Sequence, residues 1–209
     1  MAINFGNLDA TAPAPIEVAP TTAGVVLNLE KNTILDLSKT APGLSMVTLG
    51  AGWDTARSGT DIDLDISVFL LNGNGKITTT SDVVFYQNQN APGVSLSGDN
   101  RTGQGDGDDE TITINLSQVS PSVQRLVACI TIFDAVNHRQ TFGMVDNSYI
   151  RLVNQETDQE LVRYNLKGDY STDTAVVFAE LVRSGNDWAF HAIGEGKQGD
   201  LNSIAAIYS

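Results

Sequence analysis

From Val25 to the C-terminus apolar residues alternate with polar ones or run in short blocks, broken by Gly, Asn, Asp and Pro at the intervals of a strand-rich chain. This pattern predicts strands at 25–29, 33–37, 46–53, 62–71, 83–86, 111–116, 125–133, 149–153, 160–165, 175–183 and 188–193. Helical spacing is confined to two stretches, 142–147 and 201–206. Asn72-Gly73-Asn74-Gly75 and Ser184-Gly185-Asn186-Asp187 supply the residues that tolerate positive φ, and both predict hairpin turns. Many short strands with few helices argue for an all-β fold, a two-sheet β-sandwich with short peripheral helical segments.

A faint internal echo accompanies the pattern. Leu35-Asp36-Leu37-Ser38 followed by Trp53-Asp54 parallels Ile114-Asn115-Leu116-Ser117 followed by Phe133-Asp134. Residues 65–72 resemble 147–154, and Val83-Val84-Phe85 resembles Val176-Val177-Phe178. Together these suggest a duplicated half-domain. Residues 1–24 carry Pro13, Pro15 and Pro20 without periodicity and read as a flexible arm, leaving 25–209 as one folded domain.

Charge narrows the class of partner. A net charge of -13 repels a phosphate backbone or an anionic membrane surface, so nucleic acid is not an expected partner. Cys129, in the run Leu126-Val127-Ala128-Cys129-Ile130, reads as a small buried hydrophobe, and a single cysteine allows no disulfide within the chain. Neither a basic start with an apolar run nor an apolar stretch of membrane-spanning length is present, so the expected location is cytoplasmic.

The distinctive chemistry is acidic. Residues 99–110 hold Asp99, Asp106, Asp108, Asp109 and Glu110, interleaved with Asn100, Gly103, Gly105 and Gly107 and offset only by Arg101. Crowded carboxylates either rise in pKa or require a cation, and the glycines let the backbone turn carbonyl oxygens toward one. A second cluster, Asp61-Ile62-Asp63-Leu64-Asp65, alternates strictly, so a strand there presents carboxylates on one face and core residues on the other. All-oxygen ligands suit calcium, and eight carboxylates in two segments suggest two ions; magnesium, which keeps more of its waters, is the nearest alternative. Solvated surface loops are the plain alternative to either metal. Neither segment is an EF-hand, because Ile66 falls where a loop begun at Asp61 needs glycine, and a loop begun at Asp99 carries Arg101 among its ligand positions.

Leu49-Gly50-Ala51-Gly52-Trp53-Asp54, the 61–65 strand entry, Gly98-Asp99-Asn100-Arg101-Thr102-Gly103, Gly105-Asp106-Gly107-Asp108-Asp109-Glu110 and Ile150-Arg151-Leu152-Val153-Asn154 resemble the TerD family of tellurium-resistance and stress proteins. The resemblance implies a calcium-binding β-sandwich with its acidic loops at one end. It implies metal ligands at Asp61, Asp63, Asp65, Asp99, Asp106, Asp108, Asp109 and Glu110, with Asp54 and Asn100 in second place. The implied role is a calcium-dependent interaction or scaffold module. Its implied partners are other proteins of a stress-resistance complex, including one at a membrane, without insertion into the bilayer. Asp134, the echo of Asp54, is expected to make local hydrogen bonds instead.

No catalytic activity is expected. His138 and His191 have no nucleophile motif around them, and phosphate-cradling Gly-rich patterns are absent. Two alternative functions remain: a cyclic-nucleotide-like ligand held by Arg101, Arg139 or Arg151, and metal-assisted phosphoester hydrolysis.

Overall fold

A computed structural model of the chain describes residues 34–37, 43–54, 62–97 and 107–209. The arm at 1–24, the strand expected at 25–29, and Asp61, Asp99, Asn100, Arg101 and Asp106 lie outside the described residues.

Two six-stranded antiparallel sheets face each other. The first runs in the order β1 (Ile34–Asp36), β12 (Asp187–Lys197), β11 (Ala175–Ser184), β8 (Arg125–Ile132), β3 (Leu64–Leu71) and β4 (Val83–Val84). The second runs β10 (Gln159–Asn165), β9 (Asp146–Asn154), β2 (Met46–Asp54), β7 (Glu110–Asn115), β6 (Val94–Ser97) and β5 (Asn90–Ala91). Alternation places Val47, Leu49, Ala51, Ile112, Ile114, Ile150 and Leu152 of the second sheet against Leu64, Ile66, Val68, Leu126, Ala128 and Ile130 of the first. Burial of these side chains is the main stabilising contribution, at about 25 cal/mol for each Å² of apolar surface removed from water.

A second apolar layer lies on the far side of the first sheet. Phe69, Leu71, Val127, Cys129, Ala175 and Val177 meet Ile204 of the C-terminal helix α3 (Leu201–Tyr208; the shorter α1 and α2 span Ala135–His138 and Leu166–Asp169). Asp200 caps α3 by accepting from the Ser203 backbone N–H, 2.9 Å away. The alternation expected at the entry of β3 holds, with Ile62, Leu64 and Ile66 in the core and Asp65 on the other face; beyond the entry both faces are covered by apolar side chains, and all eight residues of β3 are buried. Cys129 is buried as expected, and desolvation, aided by the charge of Asp65, pushes its thiol up to about 12.

Most strand expectations hold to within a few residues. Ser184 pairs with Asp187 across a two-residue turn in which Gly185 has φ +63°. Asn72–Gly75 closes a tight turn, with the Gly75 N–H donating to the Asn72 carbonyl and the Asn72 N–H to the Lys76 carbonyl, but the strand that pairs with β3 starts only at Val83. The strand expected at 83–86 ends at Val84, after which Phe85 bridges Asn88. Residues 142–147 hold one 3-10 turn, Phe142–Met144, before β9 begins. The echoed segments fall only in part on strands of matching rank. Counted from the β10 and β4 edges respectively, β2 and β8 are each third and β3 and β9 each second, so those echoes fall on equivalent strands. The echoes of β1 on β7 and of β4 on β11 do not.

Because Ile204 is the fully buried anchor of the second layer, Ile204→Ala should cost about 2–5 kcal/mol, read as a lowered urea midpoint. The same variant should expose Cys129 to a thiol reagent at a lower urea concentration than in the parent.

Candidate metal centre

Strand register gathers the acidic residues at one end of the sandwich. Ala51 of β2 pairs with Glu110 of β7, Asp54 with Asp146 of β9, and Leu64 of β3 with Ile132 of β8. The ends of β2 and β8 therefore lie beside the starts of β3, β7 and β9. Trp53 Nε1 donates to the Ile62 carbonyl at 3.1 Å, and the Phe133 N–H donates to the Asp63 carbonyl at 2.8 Å. Both acidic segments thus emerge on the same framework.

Asp108, Asp109 and Glu110 are consecutive, yet each enters a different environment. Glu110 begins the inward-facing row Glu110, Ile112, Ile114 and is 1% exposed. Its Oε2 accepts from the Ile66 N–H of the opposite sheet at 2.8 Å. That donor is available because β4 pairs only with Val68 and Phe69 of β3, leaving the strand edge at Ile66 to a side chain. A carboxylate in the interior is tolerated only where hydrogen bonds or opposite charge compensate its lost hydration.

Asp109 lies at the end of β2. Its N–H donates to the Ala51 carbonyl, and its Oδ2 accepts from the Trp53 N–H, each at 2.8 Å. Burial raises its carboxyl above the usual range and the Trp53 hydrogen bond opposes that rise; the charges of Asp108 and Asp54 raise it further. Asp54 itself is exposed and accepts from Asn147 Nδ2 at 2.6 Å.

Asp108 turns onto the outer face of the second sheet. Arg151 donates from Nε to Oδ1 at 2.8 Å and from Nη2 to Oδ2 at 3.0 Å, a bidentate pair. Tyr149 Oη lies 2.9 Å from the same Oδ1 and 2.7 Å from the Gly107 carbonyl. Burial, then the Asp108 hydrogen bond and charge, push the Tyr149 hydroxyl up to about 12. Glu160 bridges Arg151 and Arg163, and their donated bonds, those of Arg163 first, hold its carboxyl below the usual range. The glycines of β2 make room for this network. A Cβ on Gly50 would stand 2.1 Å from Asp108 Oδ2, and one on Gly52 would stand 2.5 Å from the Tyr149 ring. The motif Leu49-Gly50-Ala51-Gly52 therefore alternates core side chains with space for a polar cluster.

Of the sequence-derived ligands, Asp63, Asp65, Asp109 and Glu110 lie at this end, Asp54 is at its rim, and Asp108 is committed to Arg151. Asp65 is 5% exposed on the outer face of β3, beside Thr131. Among the described residues no group of three His, Cys, Asp or Glu side chains is close enough to hold a metal ion. Burial and the charges of Asp108 and Asp54 disfavour the charged form of Asp109, a cost that a nearby cation would relieve. Asp134 accepts from Asn137 Nδ2 at 2.6 Å, the local contact expected of it, and His191 Nδ1 lies 3.1 Å from Glu180 Oε1 on the paired strand. Arg151, a candidate for nucleotide recognition, is held between Asp108 and Glu160. The Arg151, Glu160, Arg163 and Tyr149 cluster was not legible as a unit from sequence, although the alternation of Tyr149 and Arg151 along β9 places both on its outer face.

Asp109 gives a signed pH prediction for metal-free protein. A carboxyl raised in the folded state destabilises the fold at pH values above its folded pKa, and the effect disappears below the unfolded value of about 3.9. In chelator, Asp109→Asn should therefore melt higher than the parent at neutral pH, and the two melting curves should converge as pH falls through the folded pKa toward about 4.

Comparison with known proteins places this framework. Residues 25–208 match the TerD domain. General stress protein 16U of Bacillus subtilis is 46% identical over 188 residues, covering 88% of this chain and 97% of that protein. Tellurium resistance protein TerD of Serratia marcescens is 46% identical over 186 residues, covering 87% of this chain and 96% of that protein. A crystal structure of a homologue of telluride resistance protein from Streptomyces coelicolor A3(2) superposes with a TM-score of 0.67 at 25% identity, covering 78% of this chain and 96% of the other. With the fold, the acidic end and the glycine-spaced β2 in place, the chain belongs to the TerD domain family.

Proposed function

We propose that this chain is a calcium-binding stress-response protein of the tellurium-resistance kind, cytoplasmic and non-catalytic, that acts as a cation-dependent interaction or scaffold module. The observation that carries the reading is the placement of Asp109 and Glu110 at the same sandwich end as Asp63 and Asp65, with Glu110 reaching across to the Ile66 N–H. The names of relatives support the biological setting: one is a general stress protein, and others are tellurium resistance proteins.

Bound calcium would supply positive charge that offsets carboxylate repulsion. The protein contributes the rest. Trp53 and Ile66 N–H groups orient Asp109 and Glu110, and Arg151 holds Asp108 against β2, so the end of the acidic segment is fixed to both sheets. Loops whose charge is neutralised and whose ends are fixed present a defined surface to a protein partner; those lacking the ion repel one another. Arg151, one of the three arginines considered for a nucleotide-like ligand, already serves two carboxylates.

Calcium that binds only the folded state stabilises it by RT ln(1 + [L]/Kd), about 2.7 kcal/mol at a hundredfold excess over Kd. Differential scanning fluorimetry should show a melting temperature that rises with calcium and returns with chelator. Asp109→Asn should remove most of the rise. Equal melting of the parent with and without calcium would contradict the proposal.

A further inference from the structure

A separate cavity of about 560 Å³ opens on the outer side of the first sheet. Asp65 and Thr131, paired across β3 and β8, lie at its floor, and both are at least 95% buried. Phe85 and Tyr86, just past β4, line one side, the segment from Phe133 into α1 lines another, and Asp200 at the start of α3 lines the third. The aromatic side is ordered: Phe85 and Tyr86 stand 5.3 Å apart at 83°, and Tyr86 and Phe133 stand 5.9 Å apart at 86°. Two successive perpendicular contacts make a corner of ring faces and edges. Phe133 remains 41% exposed, a large apolar ring held at the mouth of a polar cavity.

The charge of the described lining residues has one sign. Asp65, Asp134 and Asp200 contribute carboxylates, and among the described lining residues there is no Lys, Arg or His. The hydrogen bonds that Asp134 accepts from Asn137 and that Asp200 accepts from Ser203 come from neutral donors and leave the charge in place. His138 Nε2 lies 3.9 Å from Asp134 Oδ2, beside the rim. The partial positive charge at the start of α3 is offset by the Asp200 carboxylate that caps it.

We propose that this cavity binds a small organic cation, an alkylammonium head that rests against Phe133 and Tyr86 and faces the carboxylates. Aromatic faces attract weakly hydrated cations, and quaternary ammonium groups are the ligands such walls accommodate best. The volume lies within the usual 300–1,000 Å³ range of small-molecule sites and far exceeds what a bare ion fills. Aromatic rings offer a calcium ion no ligand, so the inference does not depend on the metal reading; Asp65 is the residue where the two meet.

The test is calorimetric titration of the full chain in chelator with choline and, separately, with its neutral isostere 3,3-dimethylbutan-1-ol. Choline should bind and the isostere should bind at least several-fold more weakly. Phe133→Leu, which keeps apolar bulk at an exposed position, should weaken choline by about threefold to thirtyfold while leaving the melting temperature in place. Asp134→Asn, at the rim and with a local hydrogen bond that Asn can keep, should weaken it as well. The proposal is overturned by equal binding of the two probes, by choline silent up to about 10 mM, or by a folded Phe133→Leu that binds choline as the parent does.

Discussion

Carboxylates placed at one end of the sandwich by strand register are the constraint around which this molecule is arranged. Pairing of β2 with β7 and β9, and of β3 with β8, fixes where Asp63, Asp65, Asp109 and Glu110 must lie, and no side-chain choice can separate them without shifting a whole strand. The fold answers their charge locally. Glu110 takes the Ile66 N–H that short β4 leaves unmatched, Asp109 takes the Trp53 N–H, and Asp108 turns outward to a guanidinium. Three neighbouring acids thereby become three attachments: to the opposite sheet, to the end of β2 and to the outer face.

The outer-face attachment depends on what β2 lacks. Gly50 and Gly52 leave the space into which Asp108 and Tyr149 settle, while Leu49, Ala51 and Trp53 continue into the core. One strand therefore serves two layers at once. Arg163 stacks 4.0 Å above the Tyr149 ring and shares Glu160 with Arg151, so Asp108 stands at the head of three linked ion pairs. The outcome ties the last residues of the acidic segment to the β9–β10 hairpin.

Strand order of this kind cannot be read from alternation, but strand existence can. Periodicity located β2, β3, β7, β8, β11 and β12 because each carries an inward apolar row. It overlooked β5 and β6, which are only two and four residues long, and α1 and α2, which are single turns without a periodic face. It placed Ile62 and, in β3, Leu64, Ile66 and Val68 in the core but could not show that Phe69 and Leu71 on the other face are covered too, because that layer comes from α3, more than a hundred residues later in the chain. At the site, composition identified the acidic segments and the TerD resemblance supplied candidate ligands. Sequence could not show that Asp108 belongs to Arg151, since that pairing follows from the β2–β7 and β2–β9 registers together.

The central claim is that a divalent ion resides among carboxylates oriented by the Trp53 and Ile66 amides. Those two amides report on it directly, since each donates to a proposed ligand. Calcium titration followed by ¹H–¹⁵N correlation spectra should move the Trp53, Ile66 and Asp109 signals and leave Leu71, Asn115 and Arg125, at the opposite end of the sandwich, in place. Spectra in which those three amides stay fixed through saturating calcium would contradict it.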